Sequence, residues 1–275
     1  MRAIALIAAA LSLHGAVPAQ SVEYVQARQQ QDGGFAERGG RSTPGLTAWS
    51  VLALKAAGRA PQKPIEAAAY LARQETPTAT DVELTLLALA ALGHEVRVLA
   101  DRVDDLRKPD GRIGPLVNST LWGVLALRAA GRPARPPTIA WIVRNQHRSG
   151  GWPWAPGGPP DTDDTAVAIQ ALRAAGMSPR SRPILRGLAY LRRAQRPDGG
   201  FAQLPGGRSN AQSTAWAMQA FAAAGRDPGL APQRYLARLR RPDGSYRYSA
   251  GYTTTPLWVT AQVLPALSGK PFPLQ

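Results

Sequence analysis

The chain has 275 residues, a formal net charge of +15, 44% hydrophobic and 19% charged residues, and no cysteine. That length makes one large domain or two small ones and buries roughly 75% of the unfolded surface, so no disulfide staple is needed. The lack of cysteine excludes a thiol nucleophile, a thioester, a cysteine-ligated zinc and an iron–sulfur cluster. The positive charge is nearly all arginine, spread along the chain without a basic run, and therefore does not make a nucleic-acid groove binder.

In chain order, the first element reads as a processing segment. Met1-Arg2, the apolar run Ala3 to Leu13 and the ending Val17-Pro18-Ala19 have the layout of a secretory leader, expected over residues 1–19 with cleavage after Ala19. The plainer reading is an ordinary first helix. The run is too short to span a bilayer, and no later apolar stretch is long enough. A leader predicts a secreted or extracytoplasmic protein, with membrane contact no more than peripheral.

From residue 20 onward the chain repeats itself. Asp32-Gly33-Gly34-Phe35 recurs as Asp198-Gly199-Gly200-Phe201, with looser copies at Asp110-Gly111, Gly150-Gly151-Trp152 and Asp243-Gly244-Ser245-Tyr246. Thr47-Ala48-Trp49, Thr120-Leu121-Trp122, Thr165-Ala166-Val167 and Thr214-Ala215-Trp216 each open an Ala/Leu-rich run that ends at Gly58, Gly131, Gly176 or Gly225. Such runs are strong helix formers, with Ser, Thr or Asp as N-caps and glycine as the left-handed stop. The pattern predicts an all-α chain of six helical hairpins beginning near residues 20, 63, 97, 138, 182 and 231. The second lacks the Asp-Gly loop, and Pro265 obscures the register of the last. The second helices are apolar nearly all round and demand burial on every side. Six hairpins provide it by closing into a ring with second helices inside; an open solenoid is the alternative.

Three loops fit Gln-x3-Gly-x-aromatic: Gln29/Gly33/Phe35, Gln146/Gly150/Trp152 and Gln195/Gly199/Phe201. This resembles the repeat of squalene–hopene cyclases and related terpene cyclases, and is similar to that of protein prenyltransferase β-subunits. The resemblance implies an (α/α)6 toroid over residues 20–275. It does not fix an activity, because cyclases, zinc prenyltransferases, thioester domains and cobalamin carriers share the fold. The zinc prenyltransferase chemistry is excluded, since its metal site needs a cysteine.

Gly151-Trp152 followed by Asp161-Thr162-Asp163-Asp164-Thr165-Ala166 resembles the D-x-D-D-T-A segment of class II terpene cyclases. In that family the middle carboxyl protonates an alkene or epoxide. The resemblance assigns that role to Asp163, with Asp161 and Asp164 as supporting carboxylates, and implies an isomerase or lyase acting on an isoprenoid or related lipid without a cofactor. Squalene–hopene cyclases activate the acid with a histidine from the next repeat; the matching position here is Trp216. They also carry a second toroid, for which this chain has no room; a partner protein is one possible source of it.

The residues themselves leave three readings of the trio. Three carboxylates within four residues do not ionise together without cost, and an apolar wall pushes one further toward its acid form, a general acid. Aspartates in a first helical turn are also ordinary caps, and oxygen ligands suit Mg²⁺ or Ca²⁺. Trp49, Trp122 and Trp216 occupy equivalent places on three inner helices, with Trp258 on a fourth. They are candidates to line an apolar central cavity, stabilising cations or stacking on sugars, or else core filler. Trp152 and Trp154 are expected at the mouth. Gly39-Gly40-Arg41-Ser42 and Gly206-Gly207-Arg208-Ser209 both precede an inner helix, which makes Arg41 and Arg208 candidate receivers of a diphosphate or carboxylate, or simply flexible turns. The expectation is therefore a cyclase-like enzyme. The alternative is a non-catalytic toroid holding an apolar or anionic ligand, or a protein partner, at its Asp-rich mouth. A glycan-active enzyme is a more distant third.

Overall fold

The computed structural model describes residues 17–274. The leader expected over residues 1–19 lies outside the described residues as far as residue 16, and Ala19 already opens the first helix. Among the described residues twelve helices alternate between an outer and an inner layer. The outer ones are α1 (Ala19–Gln26), α3 (Pro64–Ala72), α5 (Arg97–Asp105), α7 (Pro136–Arg144), α9 (Arg182–Ala194) and α11 (Leu230–Leu239). The inner ones are α2 (Pro44–Ala56), α4 (Ala79–Ala91), α6 (Val117–Ala129), α8 (Thr162–Ala174), α10 (Ala211–Ala223) and α12 (Pro256–Leu267).

Each inner helix packs on the next, and α12 packs back on α2, so the chain is a closed six-hairpin toroid. The closure has a specific fastening. Glu37, in the first hairpin's loop, accepts hydrogen bonds from the free first-turn amides of α12, Leu257 N–H at 3.0 Å and Trp258 N–H at 3.1 Å. The last hairpin is thus capped by the first.

The repeated sequence signatures have a common physical cause. The loop residue after the glycines turns its buried N–H onto the threonine of the inner helix. Phe35, Ile113, Trp152, Phe201 and Tyr246 donate to Oγ1 of Thr47, Thr120, Thr165, Thr214 and Thr260 at 2.9–3.1 Å. The glutamine of the loop pattern bonds the glycine carbonyl four residues on, from Gln29, Gln146 and Gln195 at 3.0, 2.8 and 3.1 Å. Gln29 and Gln146 also reach the start of the next outer helix, at Lys63 O and Pro183 O. Gly199 is needed for conformation and for space. Its φ is +87°, and a Cβ there would sit 2.7 Å from Ala231 O.

The second hairpin lacks this loop and substitutes a capping box. Thr78 Oγ1 accepts from Asp81 N–H, and Asp81 accepts from Thr78 N–H. Pro265 is accommodated in the last turn of α12, which runs on to Leu267. Two short hairpins that the helical reading did not anticipate cover the mouth: β1 (Trp152–Pro153) with β2 (Pro160–Asp161), and β3 (Phe201–Ala202) with β4 (Ser209–Asn210).

The apolar central cavity expected from the sequence is a correction: the bore is filled. Trp49, Trp122 and Trp216 meet edge to face, with ring centroids 5.6–5.7 Å apart. Phe272, from the segment after α12, packs against all three at 5.7–6.0 Å. Apolar surface facing a ring axis is costly to leave empty or wet, and aromatic rings fill it with favourable edge-to-face geometry.

Candidate active site

The site forms where β2 runs into α8. Asp161 ends β2 opposite Trp152 and is the N-cap of α8; its Oδ1 accepts from Asp164 N–H at 2.7 Å. Asp163 lies four residues before Val167, which aligns with the bore-facing Trp49, Trp122 and Trp216, so its position is one helical turn above the aromatic layer on the same face. Ser213 of α10 faces its carboxyl and favours the anion, and its Oδ1 is buried with no hydrogen-bond partner among the described residues. Asp164 accepts from Asn118 Nδ2 of α6 at 2.6 Å. Three consecutive inner helices thus supply the constellation.

Burial dominates its electrostatics. It raises Asp163 to about 7, the nearby Ser213 hydroxyl opposing and the Asp161 charge assisting. Asp164 rises to about 8, through burial first and then the Asp161 charge. Asp161 is itself raised by burial, but backbone amides stabilise its anion, so the shared proton of this pair rests on Asp164. Tyr190, whose hydroxyl donates to Pro160 O at 2.8 Å, is pushed up to about 12 by burial and by Asp161. The arrangement is a neutral-pH proton store in a largely buried site, with Oδ1 of Asp163 buried and unpartnered. Among the described residues no three His, Asp or Glu side chains converge to hold a metal ion.

The other expected site residues scatter. Trp152 is not at the mouth: it is fully buried, its indole N–H donates to Ile142 O at 2.8 Å, and it packs against Gly187 of α9. Its large apolar ring and its partnered N–H both find what they need in the core. Trp154 is 56% exposed at the rim, and its carbonyl accepts from Asn118 N–H. Trp49 and Trp216 belong to the plug rather than to a cavity wall, and Trp216 Nε1–H is taken by Gln262 Oε1 at 3.0 Å. Arg41 and Arg208 are exposed and line separate surface depressions of about 550 and 590 Å³, so they do not form one anion site. The serines beside them fasten the loops: Ser42 and Ser209 donate to Asp32 and Asp198 at 2.9 and 2.8 Å.

Sequence reasoning missed Asn118 and Ser213. Aligning the inner helices would have found the first, because Asn118 precedes Trp122 by the interval that separates Asp163 from Val167. It also missed Glu83 of α4, which is wholly buried, without a partner among the described residues, and raised well above the ordinary carboxyl range by burial alone.

Comparison with known proteins bears on the fold. The chain superposes on a type II terpene cyclase from Scytonema with a TM-score of 0.72 at 16% identity, over 90% of this chain and 95% of that one. A protein from Actinoplanes gives 0.68 at 20% identity, over 91% and 97% of the two chains. A protein geranylgeranyltransferase-I from Candida albicans gives 0.63 at 11% identity, over 82% and 83%. These likenesses describe the fold. No curated protein sequence matches the chain. No helix among the described residues is long and apolar enough to cross a membrane. The model of the prenyltransferase alpha-alpha toroid domain matches residues 1–83, 117–226 and 184–253, and the chain belongs to that family.

Proposed function

We propose that the chain is an exported, terpene-cyclase-like acid that starts cyclisation of an isoprenoid or related lipid by protonation, with Asp163 as the donor. The observation that carries this reading is the state of Asp163. It stands on the bore face, partly buried, with one buried and unpartnered oxygen and a pKa of about 7, so a large fraction holds a proton at neutral pH. That proton passes to the outer carbon of an alkene, whose π pair forms the new C–H bond. The next double bond attacks the resulting cation to form a C–C bond, and loss of a proton from the final cation returns an acid. The sum is an isomerisation with no redox partner. A Scytonema cyclase of this fold has been solved with its substrate, geranylgeranyl dihydroxybenzoate, which supports an isoprenoid substrate class.

One observation favours a second reading, a toroid that binds without turnover: the bore beneath Asp163 is filled with aromatic rings. Purified protein incubated with squalene, polyprenyl alcohols and prenyl diphosphates, with and without Mg²⁺, separates the two. Cyclised product lost by about 100-fold or more in Asp163→Asn supports the acid. Lipid retained unchanged, indifferent to that substitution, supports the binding toroid. The leader-like layout of residues 1–19 in the sequence supports export, and a mature chain beginning at Gln20 in the extracytoplasmic fraction is its expected sign.

A further inference from the structure

The segment after α12 turns back at Gly269 and enters the bore from the C-terminal ends of the inner helices, the end opposite the aspartates. Its polar hold there is narrow. Beyond turn bonds to Ala266 and Pro265, its backbone reaches another repeat through Phe272, whose N–H donates to Gln170 Oε1 at 2.9 Å and whose ring completes the tryptophan cluster, while Leu274 packs, partly buried, against the core. On either side lies unfilled space, a crevice of about 350 Å³ between Phe272 and α8 and one of about 130 Å³ beside Leu274. The crevices are lined by Arg128 and Arg173, and by Lys55 and Arg128, with Lys270 on the segment itself and no acidic side chain in either lining. Lys55, Arg128 and Arg173 are the penultimate residues of α2, α6 and α8, so the repeat sets them at one end as a cationic collar.

We propose that residues 269–274 are a removable stopper over a latent binding site. When the stopper withdraws, the place of Phe272 becomes an aromatic slot, and the collar receives the anionic head of a single-chain amphiphile, a carboxylate or a phosphate on an apolar tail. An occupied bore and an open bore are then two states, and the apparent affinity for such a ligand is lowered by the small fraction that is open. The idea does not depend on Asp163. A truncated chain that binds but turns nothing over leaves the stopper standing and removes the acid.

The test compares the intact chain with one ending at Ser268 and with Phe272→Ala. The probe is 8-anilinonaphthalene-1-sulfonate, an apolar fluorophore with an anionic head. Both variants are expected to keep a cooperative thermal transition, to bind the dye about tenfold or more tightly than the intact chain, and to quench tryptophan emission as they do. Arg128→Glu with Arg173→Glu in the truncated chain reverses the gain. Displacement of the dye by oleate or by farnesyl phosphate tells a carboxylate head from a phosphate head. The proposal is overturned if the folded variants bind the dye no better than the intact chain, or if the gain survives charge reversal. It is equally overturned if both variants lose the cooperative transition, since the segment is then part of the core and not a stopper.

Discussion

Asp163, partly buried with its Oδ1 shut off from water, and Glu83, wholly buried, each make the stability of the fold depend on pH. Folded Asp163 keeps its proton up to about pH 7, whereas an unfolded aspartate loses it near 3.9. Between those values the folded state holds more protons, so stability falls as pH rises through that window, by an order of about 4 kcal/mol in all. Asp163→Asn is therefore expected to raise Tm at pH 8 and change it little at pH 4, as read by calorimetry at both values. Glu83 works in the same direction, since burial alone raises it and no partner offsets the desolvation. Glu83→Gln should stabilise the protein at pH 8, removing part of its alkaline loss, with little effect at pH 4. An unchanged pH slope in either variant would show that the carboxyl is solvated.

At the scale of the element, the hairpin is held by one side-chain hydroxyl and one glycine rather than by the loop's own length. Thr214 takes the buried N–H of Phe201 at 2.9 Å and also donates to Asn210 O. Thr214→Val keeps the shape and orphans a buried donor, a loss of about 1–3 kcal/mol in denaturant unfolding. Gly199→Ala adds a Cβ that meets Ala231 O while forcing a left-handed alanine. It is expected to cost more than 1 kcal/mol, and to disturb α11 as well as its own loop because the contact crosses between repeats.

The ring itself is a property of the whole molecule. An open stack would leave the first-turn amides of α12 without partners, and Glu37 supplies them from about 220 residues away. Glu37→Ala removes that cap and should cost about 1 kcal/mol. The lost protection should concentrate in amide exchange at α12 and α1, the two ends of the seam, and leave α6 and α8 unaffected. Uniform loss would mean that closure rests on the apolar contact of α12 with α2 alone. The plug belongs to this scale too: Trp122→Ala empties the ring axis and should cost about 3–5 kcal/mol.

Sequence alone determined the hairpins, their number, the inner and outer layers and the aspartate cluster. These are set by local periodicity, turn glycines and caps, which act over a few residues and recur in every copy. It also placed tryptophans at one bore position on three helices, but periodicity does not say whether a ring axis is hollow. Tertiary structure decided that, by bringing Phe272 to Gln170 across about 100 residues and turning Trp152 inward against α7 and α9. It also decided the state of the site. Asn118 and Ser213 come from neighbouring repeats, and the proton that Asp163 keeps depends on a partial burial that exists only once the repeats pack together.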